Sequence, residues 1–498
     1  MLKRLPLLLP LLLLSLGAGA QSRVQQYLDS LCATEPFRSA RLGVLAVKAR
    51  GDTIACISHM QKLGPASNTK LITTGMALAN LGSGYRIRTG IGYSGTIEDG
   101  TLKGDLYIIG GGDPTIASRD SIATYIDGLF SRWKGFVSKA GIKKIEGRII
   151  GDGRFFDGDS EQPSWLYEDI GTYYGTGGNA LSFYRNKQDF KVSAGAKPGD
   201  PLSIEPSYPQ APWMKFSYRC STGKAGTGDM LYLYTNDLAP VAEIRGTFAC
   251  DRKPKTVECS NKFAAMTCAM YFWKYLETNG IRSQGYADVD NFGMVRRAPG
   301  DKGEYPAATD ISLLGQTESP DIGRISYIIN QRSDNFYAES LLRVLGKALT
   351  GSASYDSTGV AVRRALSKIG VDGSYGISQV DGSGLSRKNY ISPDFFCRFL
   401  RAMLYSPVSE RFVSTLTIPG TGSQAGRLRN SDKSTRERIR YKSGSMEGVR
   451  CYSGYIIPAD GGKEDTIVFS IMLNSYSGPY WIAMSRIDRI ISLLAREN

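Results

Sequence analysis

The sequence predicts an α/β sandwich, one antiparallel sheet covered by helices, that carries one or two inserted β-rich domains. Three observations point there. The chain begins with a helix, two strands and a second helix, and it ends with three strands and an amphipathic helix, so its two ends supply parts of one sheet. From about residue 90 to residue 300, glycine and short strand-like runs dominate instead. The length of 498 residues also exceeds what a single hydrophobic core usually organises.

Taken in order, Lys3 and Arg4 precede Leu5 to Leu14, which is leucine apart from two prolines, and the small residues Ala18-Gly19-Ala20 follow. That is the order of a secretory signal peptide over residues 1–20, cut after Ala20, with an uncleaved anchor as the alternative. The apolar run falls short of the roughly 20 residues that span a bilayer comfortably, so membrane association is expected to be at most peripheral. Arg23 to Leu31 reads as an amphipathic helix. Leu42 to Ala49 and Thr53 to Ile57 form a hairpin across Arg50-Gly51-Asp52. Gly64-Pro65-Ala66 then breaks the chain ahead of a helix whose first turn carries Ser67 and Lys70.

In the glycine-rich stretch, Asp105 to Ile109, Lys144 to Ile150, Leu231 to Tyr234 and Val241 to Thr247 are strand candidates. Tyr107-Ile108-Ile109-Gly110-Gly111-Gly112-Asp113-Pro114 and Arg148-Ile149-Ile150-Gly151-Asp152-Gly153 share a shape, a strand ending in a Gly/Asp turn. The glycine cluster lacks the GxxxxGK[ST] spacing of a phosphate loop and reads as a tight turn. Helices resume at Ile325 to Asn330 and Tyr337 to Leu349, flanking Ser333-Asp334-Asn335. Arg438 to Lys442, Cys451 to Ile457 and Thr466 to Leu473 are strands, and Trp481 to Ala495 is the closing helix. The expected division is therefore a discontinuous main domain of residues 22–85 and 300–498, with residues 86–299 inserted.

Charge narrows the partners. The formal net charge is +14, yet Lys and Arg are scattered, so no nucleic-acid groove is expected. A basic surface suits an anionic wall polymer, or is ordinary solubilising charge. The spacing of the eight cysteines fits no zinc pattern, and His59 is the sole histidine, so neither a metal nor another cofactor is expected. In an oxidising compartment Cys220, Cys250, Cys259 and Cys268 either form disulfides or remain buried thiols.

The lack of histidine also constrains the chemistry. A serine hydrolase usually recruits histidine as its base, and His59 sits at a strand end where a surface or packing role explains it. Lysine can serve instead. Ser67 and Lys70 share a helix face at i and i+3, at a helix N-terminus whose unpaired N–H groups favour negative charge. A lysine whose pKa is lowered there can take the serine proton. Alone, this SxxK is only a cap and a charge. Two further elements change that. Ser333-Asp334-Asn335 offers a hydroxyl to relay a proton and an amide to bind a carbonyl or Lys70. Lys442-Ser443-Gly444, on a strand, offers a cation and a hydroxyl to a carboxylate, and Gly444 leaves room for a substrate against the strand. The three motifs together are those of penicillin-binding proteins and class A β-lactamases.

With these motifs the chain resembles the low-molecular-mass class C penicillin-binding proteins, serine-type D-Ala-D-Ala carboxypeptidase/endopeptidases, over nearly the whole chain beyond the signal peptide. The long span between Ser67 and Ser333 is similar to that of this family, which inserts domains there. Asp381-Gly382-Ser383-Gly384-Leu385-Ser386-Arg387 resembles the family's DGSGLSR segment, whose arginine borders the active site. Glu447-Gly448-Val449 and Ser453-Gly454-Tyr455 resemble the continuation past the third motif, and Gly110 to Pro114 a turn of the insertion. Ser443 stands where threonine is more frequent, and Ile418 to Ser423 matches only in part. The resemblance implies a serine β-lactamase/penicillin-binding-protein-like sandwich and a catalytic set of Ser67, Lys70, Ser333, Asn335 and Lys442. It further implies that Ser443, Gly444, Arg387 and Asp169 bind substrate, Asp169 taking the amino end of a diaminopimelate side chain. Peptidoglycan stem peptides are then the substrate, β-lactams the inhibitors and the periplasm the location. The alternatives are a β-lactamase, against which the long insertion argues, and a non-catalytic peptidoglycan-binding protein.

Overall fold

The strand Ile467–Asn474 is buried at every position, and its two faces belong to different cores. Val468 and Met472 enter one core, while Ile467, Phe469, Ile471 and Leu473 enter the other. Such an uninterrupted apolar strand needs helices on both of its faces. The computed structural model, which describes residues 21–300 and 307–497, supplies them. The signal peptide and the cut expected after Ala20 lie outside the described residues, apart from Gln21.

This strand is central in a five-stranded antiparallel sheet, in the order Thr53–Ile57, Arg41–Lys48, Ile467–Asn474, Val449–Ile456, Ile439–Met446. The two chain ends thus build one sheet, as expected. Arg23–Cys32, capped by Ser22, and Tyr480–Leu494 cover one face through Val24, Leu28, Ile487 and Ile491. On the other face Thr69–Leu81 packs with Ile322–Arg332, Asn335–Thr350 and Pro393–Tyr405. Each large aliphatic side chain buried in these layers contributes about 1.5–3 kcal/mol.

The inserted part is built on a six-stranded mixed sheet. Its order is Val295–Arg297, Tyr286–Val289, Ile149–Asp152, Leu106–Ile109, Arg88–Tyr93, Ser312–Glu318. The two segments with a shared strand-and-turn shape are parallel neighbours in it, Leu106 opposite Ile149. Ser312–Glu318, beyond the boundary expected at residue 300, pairs with Arg88–Tyr93. Two smaller three-stranded sheets close over Phe190, Val192, Ile244 and Phe248.

Several details differ from the expectations. The insert is β-rich but also holds two helices, Ile126–Lys139 and Ala264–Thr278. Ala264–Thr278 is apolar on most sides, and its buried residues show no helical stripe that stands out in the sequence. Lys144 to Ile150 is two strands, Lys144–Ile145 and Ile149–Asp152, because Gly147 lies against the Gly104 carbonyl, where the chain passes between two sheets. All eight cysteines are free thiols. Cys259 and Cys268, two of the four considered for pairing, sit in separate cores. No helix among the described residues is long and apolar enough to cross a membrane.

Candidate active site

Ser67 stands on a 3-10 turn, Ala66–Asn68, that leads into the helix Thr69–Leu81, and so lies just ahead of the expected first α-turn. Ala66 has φ +46°, a conformation unusual for a residue with a side chain. Its surroundings impose it. Asn68 is fully buried and donates to Ser453 Oγ at 2.8 Å, which donates to Ser470 Oγ at 2.8 Å, tying the turn to the sheet. Two glycines let the turn sit so close. A Cβ on Gly384 would fall 1.9 Å from the Ala66 carbonyl oxygen, and one on Gly444 would fall 2.6 Å from that of Pro65. The room that Gly444 leaves on this side is therefore filled by the serine turn itself.

Lys70 is fully buried, and its Nζ donates to Ser67 Oγ (2.9 Å), Asn335 Oδ1 (2.7 Å) and the Ser383 carbonyl (2.6 Å). Burial pushes its pKa down from 10.5 to about 8, and the charges of Glu339, Asp381 and Asp334 partly oppose that. A neutral amine keeps two hydrogens and gains a lone pair. Of the three partners only Ser67 carries a proton to give, since an amide oxygen and a carbonyl solely accept. Deprotonated Lys70 can thus take the Ser67 proton with no rearrangement of its other contacts.

Ser333 and Asn335 flank a sharp break between helices. Ser333 closes Ile322–Arg332 in the left-handed conformation (φ +58°), and Asp334 caps Asn335–Thr350 by accepting from Tyr337 N at 2.9 Å. The expected loop is thus only two residues long. Lys442 Nζ donates to Ser333 Oγ at 2.9 Å and to the Ser443 carbonyl at 2.6 Å. Burial, then the nearby charge of Lys70, holds its ammonium well below the usual lysine pKa. Ser443 Oγ accepts from Gln424 Nε2 at 3.3 Å, next to the partly matching segment Ile418 to Ser423.

The insert completes the surroundings. Tyr174 accepts from Asn335 Nδ2 at 3.0 Å through its carbonyl, and Arg185 forms an ion pair with Asp334. Asp120 accepts from Arg332 and from the Tyr337 hydroxyl, both at 2.5 Å. A cleft of about 390 Å³ opens between the two parts, lined by Ser67, Asn335, Ser445, Asp169 and Arg387 among others. Asp169 accepts from the Tyr174 hydroxyl at 3.1 Å, and burial raises its pKa. Arg387 is partly exposed and lies 3.7 Å from the exposed Glu447. His59 does not line this cleft.

Strand geometry adds a docking edge. Ile439–Met446 is the outermost strand, and Tyr441 exchanges both backbone bonds with Thr417 (2.9 and 3.0 Å) on its outer side. Ser443 and Ser445 are in phase with Tyr441, so their N–H and C=O groups turn to that same side. An extended peptide can pair there.

Sequence reasoning missed Asn68, Glu339, the Ser383 carbonyl and Trp165, whose indole donates to Asp381 at 2.9 Å. Glu339 had one legible signal, its i+4 spacing from Asn335 on the same helix face. The others act through backbone atoms or across long sequence separations.

The chain matches the D-Ala-D-Ala carboxypeptidase 3 (S13) family over residues 24–482. It is 27% identical over 484 residues to a D-alanyl-D-alanine carboxypeptidase from an Actinomadura species, covering 94% of this chain and 84% of the relative. Its fold is similar to the crystal structure of penicillin binding protein 4 (dacB) from Haemophilus influenzae, with a TM-score of 0.77 at 21% identity, covering 95% of this chain and 99% of the other. The structure of that protein complexed with a β-lactam gives a TM-score of 0.73 at 21% identity, covering 94% and 98%.

Proposed function

The chain belongs to the D-Ala-D-Ala carboxypeptidase 3 (S13) family, and from that premise we propose that it is an exported, penicillin-sensitive serine carboxypeptidase/endopeptidase of peptidoglycan stem peptides. Ser67 is the nucleophile and Lys70 its base. As Ser67 Oγ bonds to the carbonyl carbon of the scissile D-Ala bond, its proton passes to neutral Lys70. The oxyanion is met by the backbone N–H groups of Ser67 and Ser445. The C–N bond then breaks, and the leaving nitrogen takes the proton held by Lys70, relayed by the Ser333 hydroxyl, which returns Lys70 to the neutral amine. Asn335 holds Lys70 through its amide oxygen. Water then attacks the acyl-enzyme as neutral Lys70 takes its proton, and the carbonyl carbon–Oγ bond breaks as Lys70 hands that proton to Ser67 Oγ.

Lys442 and Ser443 receive the terminal carboxylate, which suits a cation and a hydroxyl on the strand beside an in-line peptide. Asp169 takes the ammonium of the diaminopimelate side chain, and Arg387 borders that end. When the leaving nitrogen belongs to a neighbouring stem peptide the same steps open a cross-link. β-Lactams mimic the scissile bond and acylate Ser67. We assign this chemistry to the discontinuous domain expected at residues 22–85 and 300–498, whose strand Ser312–Glu318 joins the sheet of the insert expected at 86–299, with residues 1–20 directing export to the periplasm.

The observation that carries this reading is the Lys70 Nζ to Ser67 Oγ hydrogen bond of 2.9 Å, made by a fully buried lysine. The test incubates wild type and Ser67→Ala with cross-linked muropeptides and identifies products by mass. Loss of a terminal D-Ala, or opening of cross-links, by wild type alone is the expected result. Unchanged muropeptides with wild type, or equal turnover by the variant, would refute it.

A further inference from the structure

We propose that Glu339 is a positioning residue for Lys70, holding the Ser383 carbonyl against its Nζ and placing a negative charge behind it. The proposal rests on the acyl-transfer reading of Ser67 and Lys70. Glu339 lies on the same helix face as Asn335, and its side chain is fully buried. It grips the turn that follows Asp381. Its Oε1 accepts from Ser383 N at 2.7 Å, and its Oε2 accepts from Gly382 N at 3.0 Å and from the Tyr355 hydroxyl at 3.1 Å.

Asp381 holds the same turn from the other side. Its oxygens accept from Gly384 N (2.8 Å), Ser386 N (2.6 Å), Asn389 Nδ2 (2.8 Å) and Trp165 Nε1 (2.9 Å). With its N–H groups taken by two carboxylates, the turn presents the Ser383 carbonyl to Lys70 at 2.6 Å. A purely structural grip on two N–H groups does not require a charge, and burying a charge is costly. A second consequence justifies it. Glu339 and Asp334 face Lys70 from the helix and its cap, Asp381 faces it from the turn, and Lys442 faces it from the edge strand. Asp381, Tyr355 and Arg343 in turn face Glu339. Burial and then the Asp381 charge raise the Glu339 carboxyl to about 7, against the pull of its N–H donors. Through the range in which Lys70 gives up its proton, Glu339 is therefore mostly anionic and keeps that proton on longer.

The experiment measures the second-order rate of acylation by a fluorescent penicillin across pH for wild type, Glu339→Gln and Tyr355→Phe. Wild type should rise with pH and level near the Lys70 pKa of about 8. In Glu339→Gln the rising limb should move to lower pH by about one unit, because a charge that favours the ammonium is gone. In Tyr355→Phe it should move the same way by less, since the carboxylate loses one donor and is anionic over a narrower range. A misplaced loop alone lowers the plateau and leaves the limb in place. An unmoved limb in Glu339→Gln overturns the proposal, and if that variant does not fold, an unmoved limb in Tyr355→Phe does so. No acylation of wild type, or equal acylation of Ser67→Ala, would instead refute the acyl-transfer reading beneath it.

Discussion

Ser67, Lys70, Ser333, Asn335 and Lys442 all come from the unit built on the five-stranded sheet, and hydrogen bonds between their side chains link them in two groups. The insert contributes differently, lining the cleft with Asp169 and Tyr174, whose carbonyl bonds Asn335, and holding the break between the two helices with the Arg185 guanidinium and the Asp120 carboxylate. One region holds protons that can move, and the other holds the frame around them. The difference teaches that a change in the sheet unit should strike the chemical step, whereas a change in the insert should strike geometry, stability or the far end of the substrate.

The comparison breaks most visibly at Lys70. Lys70→Met should slow acylation by about 10³-fold, the usual weight of a positioned base, as read by stopped-flow labelling. A loss of that size from any insert variant that stays folded would erase the distinction. Arg185→Ala should come next. It leaves Asp334, whose side chain is 1% exposed, as an unpaired buried carboxylate beside two motif residues. A loss of about 3 kcal/mol in urea denaturation is expected, with a smaller loss in acylation than Lys70→Met shows.

The third effect is pH-dependent. Lys70 keeps its proton to about 10.5 when unfolded and gives it up near 8 when folded, so the unfolded state binds more protons between those values. The burial penalty is fully present below pH 8, and wild type should gain stability relative to Lys70→Met as pH rises through that window. The difference in unfolding free energy, at most about 1.4 kcal/mol per pH unit, measures it. The smallest effect on acylation belongs to Asp169→Asn. Penicillin labelling should stay within about twofold, while kcat/KM for peptides with a free side-chain amine falls about tenfold.

The sheet unit was legible because its signals are local. Short apolar runs, the glycine-proline break before Ser67 and the SxxK spacing each lie within a few residues. The insert was legible only as β-rich. Ala264–Thr278 is buried on too many sides for a helical stripe to show, and the strand at Lys144 breaks because Gly147 meets another chain segment. The site divides along the same line. Of the nine expected residues, Ser67, Asn335, Asp169 and Arg387 line the cleft and Lys70 bonds to two of them, while Ser333, Lys442, Ser443 and Gly444 form a second group. Asn68, Trp165 and the Ser383 carbonyl matter through contacts that form only when distant segments pack. Gly444 was read as room for substrate, but neighbours far away in sequence occupy one side of it, since a Cβ there would meet Asn68 N at 3.0 Å as well as the Pro65 carbonyl.

The central claim, that acyl transfer proceeds through Ser67, is tested most directly by locating the covalent bond. Wild type and Ser67→Ala, both checked for folding, are treated with a penicillin, digested and mapped by mass spectrometry. One adduct is expected on the wild-type peptide that contains Ser67, and none on the variant. An adduct on another residue, or the same adduct on the variant, would contradict the account.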